Sequence, residues 1–152
     1  MKTWLVALDN SPMAEVVLSA ARDLAGRSGA RLLLLRAVSI PAELPAEAYI
    51  MAPNQVVELL VRVAHRDLAE LAKTLPAHLL SGTRVELGTP WRAVCDVAKE
   101  LQTEVVILGA HGHRVLDRVL GTTTGRVLTH SDASVVVVRG RDAFRDRGDE
   151  AR

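Results

Sequence analysis

The sequence predicts a single α/β layered domain built on a parallel sheet, and three observations carry that prediction. Short apolar runs alternate along the chain with longer runs whose apolar residues fall three and four apart. Each of those helical runs must return the chain to the end from which the next strand starts. One run, Arg31 to Val38, is apolar at nearly every position, as a strand covered on both faces requires. The hydrophobic fraction is 49% while aromatics make up only 3%, so Leu, Val, Ala and Ile must build the core. A chain of 152 residues fits one domain and buries roughly 68–70% of its unfolded surface, enough for a core without staples.

Thr3 to Leu8 is the first strand, closed by Asp9-Asn10-Ser11-Pro12. Ser11 suits an N-cap and Pro12 the first helical position, where a missing N–H costs nothing. A helix then follows Ala14, Val17, Leu18, Ala21, Leu24 and Ala25 and stops near Gly29. Arg31 to Val38 is the second strand. Residues 39–53, with Pro41, Pro45 and Pro53, read as a loop with at most one short helical turn. A long helix is expected from about Asn54 to Leu75, with Val56, Leu59, Leu60, Val63, Leu68 and Leu71 facing inward. Thr83 to Leu87 reads as a short alternating strand. Gly88-Thr89-Pro90 repeats the turn, cap and proline device and opens a helix to about Leu101. Glu104 to Leu108 is the fourth strand, Thr122 to His130 a helix and Ser134 to Arg139 the last strand. The domain is expected to span residues 1–139, with 140–152, polar and dense in charge, as a mobile tail.

Composition removes several function classes. Nineteen basic and eighteen acidic residues leave a net charge of +1, too little to draw in nucleic acid or an anionic membrane. Few aromatics leave no platform for stacking single-stranded bases. One cysteine, Cys95, excludes an internal disulfide and fits a reducing compartment. Neither a signal peptide nor a membrane-spanning run is visible, so a cytoplasmic protein is expected.

The stretch from Gly109 to Thr122, GAHGHRVLDRVLGT, is the most informative part of the chain. It starts where the fourth strand ends and finishes where a helix begins. Gly109, Gly112 and Gly121 allow sharp turns and close approach, and Thr122 adds a hydroxyl at the helix start. Free amides and the positive end of the helix dipole make such a start a seat for phosphate. Ligands in open parallel sheets sit beyond the carboxyl ends of the strands, and Asp9 and Gly109 follow two of those ends. Together they point to a nucleotide site.

On these residues the chain resembles the universal stress protein family over about residues 1 to 139. The likeness lies in VALDNS after the first strand, LLLLRAV as the second, and ILGAHGH…GTTTGRVLTHSDASVVVVR at the end. Members that bind ATP carry Gly-x-x-Gly, nine residues, then Gly-Ser or Gly-Thr. Here Gly109, Gly112 and Gly121-Thr122 match, with eight residues, His113 to Leu120, as the spacer. The resemblance implies a three-layer, five-stranded parallel sheet in the order 3-2-1-4-5, helices on both faces, like that of the adenine-nucleotide α-hydrolases. It implies ATP as ligand, with AMP or ADP as alternatives, and Mg2+ or Mn2+ held mainly by the phosphates. Asp9 and the backbone at Ala37 would meet adenine; Gly109, with His111, would lie by the ribose and phosphates; Gly112, Gly121, Thr122 and Thr123 would line the phosphates. A homodimer through the last strand, Val135 to Val138, is also implied.

The remaining residues with chemical potential read as structural. His111 and His113 form His-x-His, but no further zinc ligand lies near in sequence. Arg114 and Arg118 fit the solvated side of a helical turn. Ser11 has no histidine base at a recognisable offset, so no catalytic residue is assigned. Cys95 reads as an inert core thiol, Trp4 as core, and Trp91 as packing at a sheet edge or subunit contact. A binding module is therefore expected, with at most slow hydrolysis. The alternatives are a relative that does not bind ATP and acts through its dimer and partner surfaces, and an α-hydrolase enzyme. The enzyme would need a glycine-rich loop where the chain has Asp9-Asn10-Ser11-Pro12.

Overall fold

A computed structural model describes residues 2–40, 50–111 and 120–140. The elements are β1 (Thr3–Ala7), α1 (Met13–Ser28), β2 (Arg31–Val38), α2 (Pro53–Ala72), β3 (Leu80–Leu87), α3 (Pro90–Glu100), β4 (Val105–Gly109), α4 (Thr122–His130) and β5 (Ser134–Val138). All five strands run parallel, as the alternation of strands and helices predicts, in the order β3-β2-β1-β4-β5 that the family resemblance implies.

Period-two alternation sorts the strand side chains into two cores. Val6, Leu32, Leu34 and Ile107 pack with Val17, Leu18 and Ala21 of α1 and with Leu68 and Ala72 of α2. Leu5, Leu35, Val106 and Leu108 pack on the opposite face with Val94 and Val97 of α3 and with Val127 of α4. Both faces of β1 are thus buried, which explains its uninterrupted apolar run. Trp4 packs at the border of the first core. Trp91 borders the second, where it stacks on His130 at 4.7 Å and couples α3 to α4. Cys95 lies half-buried beside it. Burial, with Asp96 and Asp132 adding to it, pushes its thiol pKa up and keeps the sulfur in its unreactive form.

Helix α1 starts behind Pro12, whose dihedrals are already helical, and Ser11 Oγ accepts a hydrogen bond from the Met13 amide at 3.2 Å. It ends at Gly29, whose φ of 73° is left-handed and natural to glycine, and whose amide donates to the Ala25 carbonyl.

Four expectations need correction. The third strand starts at Leu80, not Thr83, because Leu80 and Gly82 pair with Leu32 and Leu33 across a register shift between β2 and β3. Burial alternates from Leu80 to Thr83 but not beyond; Arg84, Val85 and Glu86 are all half-buried, and Arg84 and Glu86 are ion-paired. On α2 the buried positions are Val56, Ala64, Leu68 and Ala72, with Leu71 packed against the first core as expected, while Leu59 is 41% exposed; the small alanines let the helix sit close to the sheet. Thr89 occupies the N-cap of α3 without a side-chain hydrogen bond, so Pro90 alone carries the start. The expected tail lies outside the described residues except for Gly140, as does most of the loop expected over 39–53.

Candidate functional site

The chain leaves β1 towards β2 on one side and reaches β4 on the other, so the winding direction reverses between β1 and β4. Loops that part in opposite directions leave a crevice there. A cleft of about 420 Å³ opens at that point, within the size range of small-molecule sites.

The structure brings seven of the eight sequence-expected residues to this cleft. Asp9 and Ala37 line one part, following β1 and lying on β2. Gly109, His111, Gly121, Thr122 and Thr123 line the other, between the end of β4 and the start of α4. Gly112 lies outside the described residues, as do His113, Arg114 and Arg118.

Asp9 is fixed from both of its ends. Its carboxylate accepts hydrogen bonds from the Ser11 amide at 2.9 Å and the Ser11 hydroxyl at 2.5 Å. Its carbonyl accepts one from Arg36 Nη2 at 2.7 Å. This Asx-type turn ends β1 and starts α1.

The glycines act differently from the turn chemistry expected of them. Gly121 has φ of −58°, and neither it nor Gly109 is among the left-handed residues. Gly109 is held small by its neighbours, whereas Gly121 has room for ordinary contact. A Cβ on Gly109 would come within 3.2 Å of Val17 Cγ2, and one on Gly121 within 3.4 Å of the Ala110 carbonyl. Hydrogen bonds then close the loop's ends on each other: the Gly121 amide donates to the Ala110 carbonyl at 2.8 Å, and Thr124 Oγ1 to the Gly109 carbonyl at 2.6 Å.

These bonds set the start of α4 beside the end of β4. No side chain caps that start, where Gly121 is the N-cap, and Thr122 and Thr123 follow it along the cleft wall. The first amides of an uncapped helix, with the dipole behind them, favour an anion.

Sequence reasoning missed the apolar wall of the cleft: Met13, Ala14 and Val17 of α1, and Pro90 and Val94 of α3. Helical spacing marked Ala14 and Val17 as core and Pro90 as a helix start, and it could not show that the core is open at this end. Arg36 was missed as well. Its guanidinium is buried among leucines of β2, a residue type rarely tolerated there unless paired. Burial pulls its pKa down, and the nearby charges of Asp67 and Asp9 oppose that shift; the group stays protonated. Among the described residues no three His, Cys, Asp or Glu side chains converge as a metal site. No described helix is long and apolar enough to cross a membrane.

A family model described as the universal stress protein family matches residues 1–139. Universal stress protein A homolog 1 of Coxiella burnetii is 26% identical over 143 residues, covering 90% of this chain and 95% of the relative. Among solved structures, universal stress protein UspA from Lactobacillus plantarum shares 27% identity, with 91% of this chain and 97% of that one covered, at a TM-score of 0.70. A universal stress protein in complex with cAMP shares the fold at a TM-score of 0.59 and 20% identity, covering 91% and 96%.

Proposed function

The chain belongs to the universal stress protein family, and on that premise we propose that it binds an adenine nucleotide, ATP foremost, in the cleft at the carboxyl ends of β1 and β4. One observation carries the reading: the uncapped start of α4 opens on the same cleft that Asp9 and Ala37 line. Phosphates would take the amides after Gly121 and the hydroxyls of Thr122 and Thr123. The base would sit at the Asp9 and Ala37 end, and the apolar wall from α1 and α3 would exclude water around it. The structure of a family member with cAMP supports the fold's capacity for such a ligand.

The donor set suits a magnesium nucleotide. Hydroxyls and helix amides recognise phosphate oxygens, and a divalent ion would be held by those oxygens and by water. When bound, the ion supplies charge neutralisation for the triphosphate. The described lining of the cleft holds no lysine or arginine of the kind that fast phosphoryl transfer uses. The reading is therefore a binding module in which occupancy alters the shape of the protein or its partner surfaces. A dimer formed through β5 would present those surfaces.

Titration of ATP by calorimetry tests the reading on the wild type and on Gly121→Val. The backbone of Gly121 suits a β-branched residue, and the added methyl groups enter the cleft lining. ATP affinity should fall about tenfold or more in the variant, with melting unchanged. Wild-type protein without affinity for ATP would overturn the proposal. A second reading, a family member without nucleotide that acts only through its dimer and partner surfaces, draws on one observation. The space beside Gly109 is already taken up by Val17, so packing alone explains that glycine. The same titration separates the two.

A further inference from the structure

We propose that Arg36 is a positioning residue for the base end of the cleft, clamping the Asp9 backbone to the strand that presents Ala37. The proposal rests on the nucleotide reading above and adds a determinant of base selectivity to it.

Neighbouring residues on a strand point to opposite faces. Ala37 lines the cleft, and Arg36 points the other way, towards α1 and α2, where Asp67 of α2 is its ion-pair partner. The regular pairing of β1 with β2 ends at Ala7 and Leu35, and one further backbone bond joins the Leu8 amide to the Leu35 carbonyl at 2.9 Å. Beyond that point β1 turns away into α1. The next rung is made by a side chain: Arg36 Nη2 donates to the Asp9 carbonyl at 2.7 Å. A charge-assisted bond of that length fixes the carbonyl more firmly than a neutral one would. It sets the distance between the two segments that would meet the base.

The placement is costly for a purely structural role. The Arg36 side chain is only 8% exposed, and its sole ion-pair partner among the described residues, Asp67, lies 3.7 Å away and is 40% exposed. Arg36 Nε is buried and without a hydrogen-bond partner among the described residues. An apolar side chain of similar length would fill the same space without that desolvation. The short, well-made bond goes to the carbonyl at the cleft, not to the counter-ion. Asp9 is held at its carboxylate by Ser11 as well, so the loop is gripped at two independent points.

The experiment compares wild type, Arg36→Met, Arg36→Lys and Asp67→Asn with three ligands: ATP, GTP and inorganic tripolyphosphate. Hydrogen exchange at the Ser11 amide is followed alongside. Wild type should prefer ATP. Arg36→Met should lose about tenfold of that preference while tripolyphosphate affinity holds, and the Ser11 amide should exchange faster. Arg36→Lys should recover part of both, and Asp67→Asn should show a smaller change in the same direction. If Arg36→Met fails to fold, the lysine and asparagine variants carry the same comparison. An unchanged ATP-to-GTP ratio in the folded variants overturns the proposal. So does an equal loss for all three ligands, which would mark a merely structural role, and so does a wild type that binds both nucleotides alike. Wild-type protein that binds none of the ligands would sink the nucleotide reading instead. Ser11 exchange would then still test the clamp, and an unchanged rate in Arg36→Lys would overturn it.

Discussion

Thr124 shows how one hydroxyl shapes the candidate site. It is buried inside α4, and its Oγ1 donates to the carbonyl of Gly109, the last residue of β4. Thr124→Val keeps the shape and removes the donor from a half-buried carbonyl, at a cost of about 1 kcal/mol. The denaturation midpoint should therefore fall while the denaturant slope stays constant. An unchanged midpoint would show that the carbonyl has another partner. Thr124 was legible in sequence only as part of a threonine run, because nothing local says which of three hydroxyls turns inward. Asp9 was easier to read. Its place before Ser11-Pro12, at the end of an apolar run, makes an Asx turn a local matter.

At the scale of elements, β3 and α3 are joined by charge. Arg84 Nη1 and Nη2 donate to the two carboxylate oxygens of Glu100 at 3.0 and 2.9 Å, while its Nε donates to Glu86. Glu100 lies at the carboxyl end of α3, where the helix dipole disfavours a negative charge, and Arg84 offsets that. Hydrogen bonding to Arg84, then its charge, lowers the Glu100 pKa below the ordinary 4.5; the same bonds raise that of Arg84. A lowered carboxylate pKa contributes stability above its unfolded value, and that contribution is lost as pH falls through the folded value. Glu100→Gln should thus lower the melting temperature slightly at neutral pH. The difference should close below the ordinary carboxylate range, and added salt should shrink it, since the pair is exposed. A difference that persists in acid would contradict this assignment. Sequence reading shortened β3 because the pairing of Leu80 and Gly82 with β2 is a tertiary match, invisible to local periodicity.

For the whole molecule the two sheet edges differ. The β3 edge carries Arg84 and Glu86, charges that discourage strand addition, whereas β5 offers Val135 to Val138. The Ser134 amide and the Val138 carbonyl both bond towards β4, so by alternation the amides of Val135 and Val137 point to the open edge. Val137→Pro removes one of those edge donors and leaves the β4 ladder intact. Sedimentation should show dimers for wild type and monomers for the variant, with helical content preserved. Dimers of undiminished affinity in Val137→Pro would place the subunit contact elsewhere.

Local patterning by itself determined the alternation of strands and helices, the α/β class and the polar loops after β1 and β4, because hydrophobic period and turn chemistry are properties of neighbouring residues. It marked Asp9, Gly109, Gly121 and Thr122 for the same reason. Tertiary structure decided that these loops face one cleft, that α1 and α3 line it, and that glycine at 109 serves packing and not backbone turning. It also placed a guanidinium from β2 under the Asp9 carbonyl. Such relations depend on which strands become neighbours and how closely helices approach the sheet, and residues 27 positions apart, like Asp9 and Arg36, acquire a common role only when the chain has folded.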